Sequence, residues 1–519
     1  MATDTFSATP DRVKRLTAYG LIVLLIVAFG AWTIFEPFGR DQAIHATIAA
    51  GLLNGQTTYA EIYNIKPPIT TAIHALSQIL FGHSEASIRL FDLVFVAATG
   101  AAMCALLMRL GYSIVGATLA PLAFAAIYYP SSFWHRAQTD GWAGLLIIWA
   151  LLLLVMGWQS QKARHVFFSG VILALAFSLK YTIGPIALVI FVPIFASDLR
   201  LRLVDFLSFA AGGLGTLVIS GGLLAVLGAF DAYVEIQTFI LSYASGFRVS
   251  AQFIQMELLS VLLKAPLFGL AMFIGLALTI SRALFPGRDL AACLLVIWLI
   301  AGWVSLWIQG KGFPYHALPF LVALAACSAS AFDTITAFVR HRLTDTRTQK
   351  IVAVIGIVAL ASNAPLKQPI DVARSLLTGQ SPMTEADFYV ETDFSSAANA
   401  AATEFLQNEL QPSETLFVWG YDTGLYFTTN RTPLHRYPYS WPFLVSFYDR
   451  RYDADLLGRL LANMPDVVVV QNNDMTPWVT GRAVDSRGAL AEFPALQNLI
   501  ASRYRKIGDS PKFEYYRLN

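Results

Sequence analysis

Apolar runs recur along the first two thirds of the chain, at 16–36, 87–108, 112–130, 140–158, 165–180, 182–197, 204–227, 257–281, 289–308, 314–335 and 350–364. A bilayer crossing needs about 20 apolar residues, so the pattern predicts about eleven membrane-spanning helices, three of them short. From about 385 onward the pattern changes. Apolar runs shrink to strand length, at Thr415-Leu416-Phe417-Val418-Trp419 and Asp466-Val467-Val468-Val469-Val470, with helical stretches at 395–410, 453–463 and 493–504 between them. This alternation predicts a small α/β domain. The expected fold is a mainly α membrane protein, a multi-span helical bundle over 1–384 with a soluble α/β domain over 385–519.

The first outer loop, 37–86, is too long to be a simple connector. Ile44, Ile48, Leu52 and Leu53 recur at helical spacing, as do Ile69, Ile73, Leu76 and Leu80. Both segments are too short to span and suit amphipathic helices lying in the membrane interface, apolar face down. Pro67-Pro68 would open the second at its first turn. Residues 433–448 are dense in Tyr and Pro, which suggests a packed loop that binds a ligand or docks onto the membrane part.

Composition agrees with the pattern. The 519 residues are 56% hydrophobic and 13% charged, with mean hydropathy +0.56, whereas soluble domains carry roughly 25% charged residues. A net charge of +2 without a basic stripe argues against a nucleic-acid partner. Cys104, Cys293 and Cys327 fall inside apolar runs and read as core residues. Residues 1–15 are polar and precede a run long enough for a true span, so no cleaved signal is expected. Arg12, Lys14, Arg15, Lys162, Arg164, Arg200, Arg202, Arg282, Arg288, Arg340, Arg342, Arg347 and Lys350 fall on one side of an eleven-span arrangement. That side is cytoplasmic by the positive-inside rule. The 37–86 loop and the C-terminal domain then face outward, periplasmic in a bacterial inner membrane.

Candidate chemistry gathers on that outer side. Asp41 follows the first run and Asp140 opens the fourth. Either could act as a base or orient a nucleophile, against structural readings as a partner of Arg40 and as a helix N-cap. Lys66, Lys180 and Lys311 lie where positive charge is otherwise sparse, and ionisable groups near the membrane tend to be functional unless they snorkel. With Arg248 they could surround a phosphate and stabilise charge on a phosphate leaving group. Gly310 and Gly312 would let a ligand approach Lys311. His316 could add a hydrogen bond, although a lone His in an apolar helix is more often a core residue. No Walker loop, GxGxxG, HExxH or GxSxG motif occurs. A divalent metal would have only Asp41, Asp140 and His135 to hold it, and no cofactor is expected.

With these residues in view, roughly residues 15–335 resemble the GT-C glycosyltransferases, in the branch of the bacterial protein-mannosyltransferase and aminoarabinose-transferase-like enzymes. The resemblance rests on Asp41, Lys66-Pro67-Pro68, Gln138-Thr139-Asp140, Leu175-Ala176-Phe177-Ser178-Leu179-Lys180 and the stretch from Lys311 through Tyr315-His316-Ala317-Leu318-Pro319. In the tail, Val418-Trp419-Gly420-Tyr421 and Leu425-Tyr426-Phe427 look like the soluble domain of such proteins. The resemblance implies a polyprenyl-phosphate-sugar donor and inversion at the anomeric carbon. Asp41 is then the catalytic base, with Lys66, Lys180 and Lys311 near the donor phosphate. Two departures stand out. Gln42 replaces the second acid often found after the first, and Tyr315-His316 replaces an Arg/Lys-Tyr pair.

The sequence therefore predicts an enzyme that moves a sugar from a polyprenyl-phosphate donor to a hydroxyl of a glycan, lipid or protein acceptor in the cell envelope, lipopolysaccharide included. The alternatives are a transporter or flippase for lipid-linked sugars and a membrane-anchored scaffold. A transporter predicts internal repeats and broken helices in matched halves, and the chain shows no obvious repeat. Eleven spans exceed what an anchor requires.

Overall fold

The computed structural model describes residues 8–133, 135–196, 200–246, 248–284, 289–343, 345–382 and 393–519. Arg288 and the expected boundary at 384/385 lie outside the described residues. Two compact units emerge from the packing. The first comprises Met1–Ile34, Phe91–Ile219 and Val249–Pro382, and the second Phe35–Leu90, Ser220–Arg248 and Met383–Asn519. The first outer loop thus shares a unit with the tail.

Among the described residues seven helices are long and apolar enough to cross a membrane: Arg12–Phe35, Ala86–Arg109, Thr139–Ser160, Leu203–Val226, Pro266–Leu284, Leu290–Gln309 and Pro314–Arg342. The pair Thr346–Ser362 and Lys367–Leu377, bent by 74°, makes up to eight. Other predicted spans are shorter apolar helices, at Ile114–Tyr128, Ala163–Phe177 and Tyr181–Phe195. The run read as one span over 257–281 divides into Ala251–Leu263 and Pro266–Leu284. Pro266 lacks the N–H that would continue the preceding helix, and suits a new first turn.

Small residues set the helix crossings of the first unit. A Cβ on Gly170 would stand 2.2 Å from the Phe209 carbonyl oxygen, and one on Gly212 would stand 2.1 Å from that of Phe167. The helices Ala163–Phe177 and Leu203–Val226 therefore meet backbone to backbone, as in membrane helix pairs generally. Asp92, buried inside the span Ala86–Arg109, accepts from Tyr128 Oη at 2.9 Å and from Trp142 Nε1 at 2.8 Å, tying three helices. Cys104, Cys293 and Cys327 are free and buried, as their surroundings predict.

The second unit holds a four-stranded sheet: β1 (Leu416–Trp419), β2 (Val467–Gln471), β3 (Tyr504–Asp509) and β4 (Phe513–Leu518), in the order β1-β2-β4-β3. β1 and β2 run parallel, with Leu416 opposite Val467, and are buried along their whole length. β4 is antiparallel to both β2 and β3. The predicted tail helices are present as Ser396–Glu409, Arg451–Ala462 and Pro494–Arg503.

The two short loop helices form as Arg40–Leu53 and Pro68–Phe81. Their apolar residues divide, however, in place of forming one bilayer face. Ile44 and Ile48 enter the unit's aromatic core with Tyr437, Tyr439, Trp441, Phe443 and Tyr452. Leu52, Leu53, Leu76, Ile79, Leu80 and Phe81, near the helix ends, are exposed. The Tyr-rich 433–448 loop supplies much of that core.

Candidate functional site

In the first unit the predicted residues converge on the start of the Thr139–Ser160 helix. Gln138 is the N-cap and makes no side-chain cap, so Asp140 sits inside the first turn and is not the cap itself. Asp140 is fully buried. One carboxylate oxygen meets Lys180 Nζ at 3.1 Å and the other accepts from Gln309 Nε2 at 3.1 Å. Lys180 is placed by its position just before the 3-10 helix Tyr181–Phe191. That element is fastened to the Leu290–Gln309 helix by the Thr182 and Ser305 hydroxyls, 2.8 Å apart.

Gln309 ends its helix because Gly310 takes the left-handed conformation, φ +60°, which glycine adopts without a Cβ clash. Lys311 follows and is buried. Beyond it Phe313 and Tyr315 stack at 5.4 Å, His316 meets Tyr315 edge-on at 4.7 Å, and His135 lies 5.8 Å from Tyr315. Tyr315 and His316 thus line a turn continuous with Lys311. Arg136, next to His135, is buried on the carbonyls of Tyr129 and Ser131 and over the Trp32 ring, a structural role.

The second unit carries Asp41, Lys66 and Arg248. Arg248 is exposed. Asp41 lies in the first turn of the Arg40–Leu53 helix, where the helix dipole favours an anion. Arg40 has carboxylate partners in the tail: Nη1 meets Asp393 at 3.1 Å and Nε meets Asp422 at 3.2 Å. Its guanidinium also reaches the Asp393 carbonyl and lies 4.9 Å over Tyr421. Gln471 completes the clamp, donating to Asp422 at 2.8 Å and accepting from the Tyr421 and Asp422 amides. Nearby, Asp474 accepts from the Ser486 amide and hydroxyl, and burial pushes its carboxyl up to about 6.

Lys66 is half-buried on a backbone held at both ends. Its amide donates to Asn64 Oδ1 at 2.9 Å and its carbonyl accepts from Tyr59 Oη at 2.8 Å. Pro67 caps the next helix. His45 and His74 meet edge-on at 5.4 Å between the two loop helices. Burial holds both rings well below the usual imidazole range, and the Lys66 charge adds to this for His45.

The structure thus joins Asp140 to Lys180, sets Lys311 beside Tyr315 and His316, and anchors Asp41 and Lys66 on neighbouring elements of one loop. Sequence reading missed Gln309, Asp92 and the Asp393–Asp422–Gln471 clamp. Asp92 alone carried a signal, as an acid inside an apolar run. Among the described residues no group of three or more His, Cys, Asp or Glu side chains stands ready for a metal ion.

Fold and site together define a polytopic membrane protein with an acid-bearing helical loop and a small α/β unit. The family model of dolichyl-phosphate-mannose-protein mannosyltransferase matches residues 65–224. A crystal structure of ArnT from Cupriavidus metallidurans bound to undecaprenyl phosphate superposes with TM-score 0.58 at 15% identity, covering 98% of each chain. The apo structure of the same protein gives TM-score 0.59 at 15% identity, covering 96% of this chain and 98% of that one. No curated protein matches the sequence. The fold is that of the ArnT structures, as the resemblance drawn from the residues implies.

Proposed function

We propose that the protein is an inverting glycosyltransferase that moves a sugar from a polyprenyl-phosphate donor to an acceptor hydroxyl. The reaction takes place at the periplasmic face of a bacterial inner membrane, with the N-terminus cytoplasmic, and serves cell-envelope glycan modification. The observation that carries this reading is Asp41 in the first turn of a loop helix whose neighbour Arg40 is clamped by two acids. The ArnT fold supports it.

In this reading Asp41 takes the proton of the acceptor O–H. The acceptor oxygen bonds to the anomeric carbon as the bond from that carbon to the phosphate oxygen breaks, and polyprenyl phosphate departs. Lysine side chains stabilise the charge developing on that phosphate, the part the resemblance implies for Lys66, Lys180 and Lys311. Asp140 orients Lys180 through their ion pair. The stacked Tyr315 and edge-on His316 fix the turn after Lys311 and bear on the lipid-phosphate end. Arg248, exposed, adds positive charge to the approach of an anionic lipid.

The experiment is transfer from labelled polyprenyl-phosphate sugars by the full-length protein in proteoliposomes. Asp41→Asn should lower the rate by about 10²–10⁴-fold, the range for loss of a general base, while donor binding persists. Full activity in that variant would overturn the assignment.

A further inference from the structure

The helix Thr346–Ser362 in the first unit has no buried residue. Ile351, Val354, Ile355, Ile357 and Val358 are each at least half exposed, so this helix needs lipid around it. Its start is basic, with Arg347 and Lys350. It ends at Ser362 with Asn363 as C-cap. Pro365 follows and cannot donate to continue the helix. After this short break the helix Lys367–Leu377 runs off at 74°.

That second helix is sharply two-faced. At about 3.6 residues per turn, Leu366, Ile370, Ala373 and Leu377 fall in one stripe, with Leu376 on its flank. Gln368, Asp371 and Ser375 fall on the opposite side. Their exposures are reversed from those of a helix packed on a water-facing surface, which turns its leucines inward. Ile370 is 52% exposed, Leu376 50% and Leu377 89%. Gln368, Asp371 and Ser375 are half-buried, and Val372 beside them is buried. The polar side thus packs on the protein and the apolar stripe points away from it. Lys367 and Arg374, both exposed, border the stripe along one edge.

We infer that Lys367–Leu377 is an interfacial helix, lying in the plane of the bilayer surface with its Leu366, Ile370 and Leu377 stripe on the lipid acyl chains. Lipid is the occupant because the helix continues directly from a lipid-facing span. Its 11 residues make a rod about 16 Å long, at about 1.5 Å per residue. At 74° to the span the rod advances only about 5 Å along the span axis. It therefore stays within the headgroup zone, where such helices bury their apolar face by about 5–10 Å. Lys367 and Arg374 then reach the lipid phosphates, their stems along the apolar edge. A span without buried residues has little packing to fix its depth, which falls to the anchors at its ends. Arg347 and Lys350 hold one end of Thr346–Ser362, and the interfacial helix holds the other. None of this depends on the transfer reaction.

The test uses Lys367→Cys, Ile370→Cys and Leu377→Cys, each in the full-length protein in proteoliposomes and labelled with bimane. Cys104, Cys293 and Cys327 are buried, so wild type serves as the labelling control. Fluorescence quenching is read with aqueous iodide, with lipid brominated near the headgroup end of its chains, and with lipid brominated at the chain ends. Labels at 370 and 377 should be quenched several-fold more by the shallow bromines than the label at 367, and several-fold less by iodide. Chain-end bromines should quench them more weakly than shallow ones. Equal iodide quenching at all three positions would overturn the interfacial helix. Shielding of 370 and 377 from both iodide and bromolipid would do the same, being the mark of a protein cover. So would stronger quenching by the chain-end bromines, since the pair would then cross the bilayer as one broken span. For the anchoring role, Ile370→Ser with Leu377→Ser should raise iodide quenching of a label at Ser362→Cys; an unchanged label there would overturn that role.

Discussion

Arg40→Met removes the guanidinium that joins the loop helix to the tail, and its cost follows from burial. The Arg40 side chain is 11% exposed, and those of Asp393 and Asp422 are 3% exposed. Taking away one partner of a buried ion pair leaves uncompensated charge and costs about 3–5 kcal/mol. Asp422 keeps its bond from Gln471, which places the effect nearer the lower figure. If the second unit melts as one cooperative block, that is a drop of roughly 6–20 °C in its melting temperature. The assay is thermal unfolding of the full-length protein in detergent, followed by tryptophan fluorescence. Adding Asp393→Asn and Asp422→Asn to Arg40→Met should recover most of the loss, because replacing a whole buried ion cluster is often nearly neutral. Arg40→Lys should fall between, having no planar fork for two acids. A single Arg40→Met variant melting within about 2 °C of wild type, well under the roughly 6–20 °C expected at 2–4 °C per kcal/mol for a unit of this size, would refute the reasoning.

Lys180→Met should strand the buried Asp140 and cost about 3–5 kcal/mol by the same argument, with Asp140→Asn in the same chain restoring the melting temperature. Two tail residues should tilt the pH dependence of stability in opposite directions. Asp474, pushed up to about 6 from 3.8, is favoured protonated in the folded state, so its contribution is full below about pH 4 and is lost as pH rises through 6; Asp474→Asn should remove that loss. His435, lowered to about 4 from 6.5 chiefly by burial, contributes stability above pH 6.5 that is lost as pH falls through 4; His435→Leu should flatten that acid limb in melts taken across the range. Gly212→Val would drive a side chain into the Phe167 carbonyl and should destabilise by about 1–3 kcal/mol or more, seen as a lower melting temperature.

What could be read from the sequence depended on whether the signal was local. β1 and β2 are buried at every position, so continuous apolar runs revealed them. β3 and β4 went unread because Arg505, Lys506, Glu514 and Arg517 interrupt the apolar pattern, and of their residues just Tyr504, Phe513 and Tyr515 are fully buried. The loop helices were legible from spacing and Pro67-Pro68. The destination of Ile44 and Ile48 was not, because spacing reports that a face is apolar and says nothing of what covers it. Asp140, Lys180 and Lys311 were found because charge is conspicuous beside apolar runs. The Asp140–Lys180 pair spans separate elements, and Gln309 looks like an ordinary helix end until its amide is seen on Asp140.

Arg40 is the instructive case. Adjacent in sequence to Asp41, it suggested a local ion pair, yet neighbouring residues on a helix do not face one another. Its carboxylate partners lie more than 350 positions away, in a domain that composition alone set apart from the loop. With two acids on Arg40, the arginine's charge is answered by the tail. Gln42 completes this surrounding. It is fully buried on the inner side of the same helix, where a second carboxylate would bring a charge that burial opposes. A glutamine in place of a second acid therefore fits how this helix is packed.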